Sequence, residues 1–168
     1  MIAGAIHFTL AHLPLIAIAA AFLIAALRPQ PNFSVALLNW LLLLAVGVES
    51  LWAGMFHTLF PRIAAASIGW QVSPFQFEIG VADAALGVVA IVSFWRSLDF
   101  KGAVVGYATL FYLGVTIGHV HEAVVAGNFA ANNFGPLLAV TVLRMMLLPL
   151  LYLAARRQAA AAGQPAFQ

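Results

Sequence analysis

Five long apolar segments alternate along the chain with short breaks that hold Pro, Gly, Asn or charged residues. A helix that crosses a bilayer needs about 20 mainly apolar residues, and each segment reaches that length. Because turn-forming residues mark the breaks, the pattern predicts five transmembrane helices. Their predicted bounds are residues 2–27, 33–60, 74–95, 101–126 and 135–155. The predicted fold class is therefore all-α, a polytopic membrane helical bundle.

The segment 61–73 is apolar but too short to span a membrane, so we expect a short interfacial helix or a shallow re-entrant loop. At its end, Ser73 and Gln76 have the spacing of a helix-capping box around Pro74. Residues 1–157 are expected to form a single transmembrane bundle. The Ala- and Gln-rich residues 158–168 are expected to be a flexible tail.

Composition supports lipid as the main solvent of this chain. Hydrophobic residues make up 64% and charged residues 7%, with a mean hydropathy of +1.04, whereas a soluble domain is nearer a quarter charged. The absence of cysteine excludes disulfides, thiolate metal sites and cysteine nucleophiles. A net charge of +2 without a basic run argues against nucleic-acid binding. The first segment lacks a positive leader region, so we expect a retained helix.

The distribution of Lys and Arg predicts the orientation in the membrane. With five helices the termini lie on opposite sides, and Arg62 is then the one basic loop residue on its side. The opposite side collects Arg28, Arg96, Lys101, Arg156 and Arg157. Because cytoplasmic loops carry the excess of Lys and Arg, the N-terminus is expected outside and the C-terminus in the cytoplasm of a cell (inner) membrane.

Ten of the seventeen ionisable residues fall inside the predicted helices, where each costs a few kcal/mol unless it is paired or faces a cavity. They are His7, His12, Glu49, His57, Glu78, Asp83, His119, His121, Glu122 and Arg144. At about 1.5 Å per residue, all ten lie between the outer surface and the midplane. We therefore expect a polar shaft, open outside and closed toward the cytoplasm by Arg144 and carboxylates.

A metal site is the first hypothesis for this shaft. His119 and Glu122 are three residues apart and share a helix face. Di-iron and di-manganese carboxylate bundles combine such pairs with single Glu residues from other helices. The predicted ligands are His119, Glu122, Glu78, Glu49, His57 and His12. Imidazole and carboxylate without thiolate suit Fe, Mn or Zn, for redox or hydrolytic chemistry on a small or lipid-soluble substrate, or for metal handling.

The remaining ionisable residues are assigned to charge pairing or a proton relay: Arg144, Asp83, His7 and His121. Arg144 is expected to neutralise Glu49 or Asp83, because an unpaired Arg at the midplane is costly. His121 faces lipid headgroups or a neighbouring subunit of a homo-oligomer.

Two other functions stay open from the sequence. A chain of His and carboxylate groups can relay protons, which predicts a proton- or ion-coupled transporter or channel. Haem held by two histidines on facing helices, His7 or His12 with His119, is the third possibility. Whether the protein is an enzyme or a transporter is not decided by these patterns.

Four stretches of the sequence resemble a family of small, uncharacterised prokaryotic integral membrane proteins. They are Phe56-His57-x-x-Phe60-Pro61, Ile68-Gly69-Trp70-x-x-Ser73-Pro74-Phe75-Gln76-x-Glu78-x-Gly80, Gly118-His119 and Gly127-Asn128-Phe129-Ala130-x-x-Asn133-x-Gly135. The likeness covers roughly residues 45–150. It implies the fold and a membrane location, and it supplies no mechanism because that family has no established activity.

Overall fold

The computed structural model describes residues 12–28 and 32–162, and all regular elements in these ranges are helices. They are α1 (Leu13–Leu27), α2 (Phe33–Leu59), α3 (Pro61–Ile68), α4 (Phe75–Ser93), α5 (Leu98–Val125) and α6 (Pro136–Ala161). Within the described ranges, α2, α4, α5 and α6 are long and apolar enough to cross a membrane, and α1 is apolar but has 15 residues. The predicted all-α membrane bundle is confirmed. The first ten residues of the predicted first helix, 2–11, lie outside the described ranges.

The helix ends follow local capping chemistry. The side chain of Asn32 accepts a hydrogen bond from the Val35 N–H at 3.2 Å at the start of α2, and Ser97 caps α5 in the same way. Helix α3 ends at Gly69, whose φ of 72° lies in the left-handed region that glycine adopts without strain. The short apolar segment is therefore helical, and α6 continues six residues past its predicted end, residue 155.

The middle of α2, Leu41–Val48, is a π-helix between two α-helical parts. Such segments are rare and occur frequently at functional sites. This one ends immediately before Glu49, and the carbonyl oxygen of Ala45 accepts a hydrogen bond from the Arg144 guanidinium at 2.6 Å. The irregular turn thus supplies a backbone acceptor beside the ionisable residues.

Helices α2 and α4 approach each other closely through glycine. A Cβ added at Gly54 would lie 2.7 Å from the Gly80 carbonyl oxygen and 2.8 Å from the Ala84 nitrogen. Only small residues allow such a backbone-to-backbone approach in a membrane bundle. This contact holds the helix of Glu49 against the helix of Asp83.

The two ends of the bundle differ in their packing. Apolar side chains with at most 1% exposure fill the end where α2 and α5 begin and where α4 and α6 finish, among them Leu38, Leu41, Leu42, Ala90, Ala108, Leu148 and Ala155. We call this the packed end. The opposite end, where α4 and α6 begin, contains a cavity, and we call it the cavity end.

Candidate functional site

A cavity of about 590 Å³ lies among α2, α4, α5 and α6 at the cavity end. Five of the ten ionisable residues predicted within the membrane line it: Glu49, His57, Asp83, His119 and Arg144. Between them the walls are apolar, and include Ile79, Leu110, Phe111 and Val115. The structure therefore brings half of the residues of the predicted polar shaft to the lining of one cavity.

The polar lining forms two layers. Each helix contributes two lining residues that are seven or eight positions apart: Glu49 and His57 on α2, Asp83 and Gln76 on α4, Tyr112 and His119 on α5, and Arg144 and Leu137 on α6. Two helical turns separate such positions by about 10–12 Å. We call the layer of Glu49, Asp83, Tyr112 and Arg144 the floor. The layer of His57, Gln76, His119 and Leu137 is the roof.

Arg144 organises the floor and is 3% exposed. Its Nη1 donates to the Glu49 carboxylate at 2.5 Å and to the Ala45 carbonyl, and its Nη2 donates to the Thr141 hydroxyl at 3.3 Å. The guanidinium also lies over the Tyr112 ring, 4.5 Å from the centroid. A buried Arg persists when it is paired and hydrogen-bonded in this way. These contacts close the cavity toward the packed end.

Asp83 is the second carboxylate of the floor and is 8% exposed. It interacts electrostatically with Glu49 and Arg144. Among residues 12–28 and 32–162, however, no side chain or backbone group forms a hydrogen bond or ion pair with its carboxylate. The floor thus places two carboxylates beside one guanidinium, and that guanidinium is bonded to Glu49.

Asn133, which is fully buried, fixes one roof histidine. Its Nδ2 donates to the carbonyls of His119 and Asn128, and its Oδ1 accepts from the Trp70 indole N–H at 3.2 Å. Because carbonyls only accept and the indole N–H only donates, the amide has one orientation. The same Oδ1 lies 2.7 Å from the Nδ1 of His119, so Nδ1 is the donor. The Nε2 of a neutral His119 then carries a lone pair.

Gln76 fixes the other roof histidine. Its Nε2 donates to the Pro61 carbonyl at 2.8 Å and faces the Nδ1 of His57 at 3.4 Å, so that Nδ1 accepts and the His57 Nε2 carries the proton. Its Oε1 is buried without a hydrogen-bond partner in the described structure. The predicted capping box is therefore wrong: α4 has no side-chain cap, Pro74 precedes it, and the Gln76 side chain bonds Pro61 instead of the Ser73 backbone N–H.

Three of the predicted metal ligands or relay residues lie away from the cavity. Glu78 and His121 are exposed, and Glu122 is half-buried and is absent from the linings of both described cavities. Although His119 and Glu122 share a face of α5, only His119 reaches the roof. His7 lies outside the described residues.

His12 lines a second cavity of about 630 Å³, formed by α1, α2, α3 and the start of α6. Five residues line both cavities: Glu49, Ala53, His57, Ile68 and Leu137. The described residues contain no group of three His, Asp or Glu side chains that could hold a metal ion. The metal and haem hypotheses therefore stay predictions, and the structure places His12 and His119 in different cavities.

Four site residues were not identified from the sequence: Gln76, Tyr112, Asn133 and Thr141. Gln76 and Asn133 occur in the stretches that carry the family resemblance. The resemblance therefore marks their positions, but it does not indicate that their amides orient the two histidines. Tyr112 lies seven residues before His119, and Thr141 lies three residues before Arg144. Each is thus on the helix face of an ionisable residue.

Replacing Asn133 by alanine should free the His119 ring and lower stability by about 1–2 kcal/mol, because the partly buried N–H groups of Trp70 and His119 lose their acceptor. Thermal unfolding in detergent measures the stability, and ¹⁵N NMR of the imidazole reports loss of the Nδ1–H form. The matched control is Asn132→Ala at the half-buried neighbouring position. Equal unfolding midpoints and unchanged His119 shifts in the two variants would contradict this assignment.

Fold and cavity together define a polytopic α-helical membrane protein with ionisable residues around a cavity. The chain belongs to a family of unknown function (DUF6790), which matches it over residues 6–161. This confirms the membership in a family without assigned activity that the sequence resemblance implied. No curated protein and no solved structure matches the chain.

Proposed function

We propose that the protein binds a small organic cation inside the membrane, with the cationic group at the Asp83 carboxylate. The observation that carries this proposal is a buried carboxylate that lines a cavity and has no hydrogen bond or ion pair within the described structure. Since Arg144 is bonded to Glu49, an ionised Asp83 leaves the floor with one excess negative charge. A cation in the cavity compensates that charge at membrane depth.

The size and lining of the cavity favour an organic ligand over a bare ion. Small-molecule sites occupy about 300–1,000 Å³ and are mainly apolar with a few placed polar groups. The volume of about 590 Å³ and the walls of Ile79, Leu110 and Val115 agree with that description. A metal ion, by contrast, needs several ligands at one point, and the described residues supply no group of three.

Positive charge at the packed end supports an outward-facing cavity. The basic residues near this end are Arg28, Arg96, Lys101, Arg156 and Arg157. By the positive-inside rule this end faces the cytoplasm, so the cavity lies in the outer half of a prokaryotic cell membrane. The solid packing behind the floor supports a blind binding site. It argues less well for the transporter or channel alternative, which needs a path through the packed end.

The Asp83→Asn variant tests the proposal. Octylamine serves as the probe, and isothermal calorimetry on protein in lipid nanodiscs measures its saturable binding. We expect Asp83→Asn to weaken binding by roughly ten- to hundredfold, as loss of a buried charge partner does. Glu78→Gln is the matched control, because this carboxylate is exposed on the same helix and should leave the affinity unchanged.

Two results would overturn the proposal. One is the absence of saturable octylamine binding by the wild-type protein in the nanodiscs. The other is equal binding by the Asp83→Asn and Glu78→Gln variants. Proton flux into liposomes that requires Asp83, without octylamine binding, would instead favour the proton-relay alternative.

A further inference from the structure

The roof presents two imidazole nitrogens with fixed hydrogen-bonding roles. The Nε2 of a neutral His119 is an acceptor, because its Nδ1 donates to Asn133. The Nε2 of His57 is a donor, because its Nδ1 accepts from Gln76. The Oε1 of Gln76 has no partner in the described structure, but it is buried behind the lining, out of reach of a group in the cavity.

A polar group left unpaired at a buried site costs about 1–3 kcal/mol, so the roof is suited to a ligand group that pairs with both nitrogens. The roof offers one acceptor, the Nε2 of His119, and one donor, the Nε2 of His57. A hydroxyl group has one donor and two acceptor lone pairs, so it can donate to His119 and accept from His57. An ammonium group has only donors and would leave the His57 N–H unpaired, and a carboxylate has no proton to donate to His119.

We infer that the roof binds a hydroxyl group, and that the ligand is an amino alcohol whose amine and hydroxyl are joined by an apolar spacer. This inference rests on the proposed function for the amine end at Asp83. The spacing of floor and roof, about 10–12 Å, sets the length of the spacer. The walls between the two layers are apolar, and Ile79, Leu110 and Val115 would contact the spacer.

The test compares aminooctanol with octylamine, two probes that share the amine and the eight-carbon chain. If the protein offered no hydrogen-bond partner to the hydroxyl, burying that group would make aminooctanol bind more weakly than octylamine. We expect wild-type protein in lipid nanodiscs to bind aminooctanol about tenfold more tightly than octylamine, the worth of about one good hydrogen bond. Calorimetry of both probes gives the ratio of the two affinities.

Two variants of roof residues test whether the roof causes the difference between the affinities for aminooctanol and octylamine. Gln76→Met keeps the side-chain length but removes the amide N–H that makes His57 Nδ1 the acceptor, and His119→Phe keeps a ring without the Nε2 lone pair. Each variant should lose the preference for aminooctanol while octylamine still binds, so octylamine reports that the cavity is intact. Two separate substitutions are used because Gln76 also bonds the Pro61 carbonyl.

The outcomes separate this inference from the proposed function. Octylamine binding without a gain from the hydroxyl overturns the roof assignment and leaves the floor standing. A gain that persists in both roof variants also overturns it. Failure of both amines to bind wild-type protein overturns the proposed function together with the inference that rests on it.

Discussion

Replacing Arg144 by methionine should destabilise the protein by about 3–5 kcal/mol, the cost of breaking a buried ion pair by removing one partner. The substitution leaves the carboxylates of Glu49 and Asp83 adjacent and buried, without the guanidinium beside them. It also removes the donor to the Ala45 carbonyl in the π-helical turn. Thermal unfolding in detergent micelles measures the loss.

Two further variants show whether charge or volume causes the loss. Adding Glu49→Gln to Arg144→Met removes the partner charge as well and should recover at least half of the stability, because a matched neutral replacement is often tolerated. Arg157→Met removes an exposed Arg at the packed end and should change stability by less than about 0.5 kcal/mol. Equal midpoints for Arg144→Met and Arg157→Met would show that the floor pair does not stabilise the bundle.

The long helices could be predicted from the sequence because a bilayer allows few alternatives. Lipid leaves backbone N–H and C=O groups unsatisfied unless each spanning segment is helical, so length and hydropathy fix the helices. The ends of α2 and α4 accordingly fall within two residues of their predicted positions. The π-helical turn at Leu41–Val48 could not be predicted, since its sequence is an ordinary apolar run.

The side of each helix on which the polar residues lie could be predicted less well. In a soluble helix the apolar stripe shows which side is buried, but a membrane helix is apolar all round and has no such stripe. Counting residues gives the depth of a side chain in the membrane, but it does not give the direction in which the side chain points around the helix axis. The sequence therefore groups Glu78 and Glu122 with His119, although the structure leaves Glu78 exposed and Glu122 outside both described cavities.

The uncharged amides were overlooked for a related reason. The high cost of placing charge in lipid points to ionisable residues, and Gln76 and Asn133 carry no charge. Yet a buried amide also needs its hydrogen bonds satisfied, and a full set of partners then orients whatever it touches. Asn133 bonds Trp70, Asn128 and His119, and it thereby determines which nitrogen of His119 remains available.

The blind form of the cavity predicts a sharp difference between two alanines. The chain has no cysteine, so a single introduced thiol is the only reactive one. Ala53 lines this cavity and the second one as well, and Ala108 is 0% exposed in the packed end. With a membrane-impermeant thiosulfonate added outside intact cells, Ala53→Cys should react and Ala108→Cys should not. Mass spectrometry of the purified protein measures the labelled fraction.

The same reagent tests orientation through Gln158, which is exposed at the packed end. Gln158→Cys should react only after the cells are opened, since the packed end is proposed to face the cytoplasm. Octylamine should protect Ala53→Cys, because the amine occupies the space beside it, and should leave Gln158→Cys unaffected. Labelling of Ala108→Cys as fast as Ala53→Cys would show that a path continues through the packed end. The cavity would then be one half of a transport pathway, since a blind site gives no route from Ala53 to Ala108.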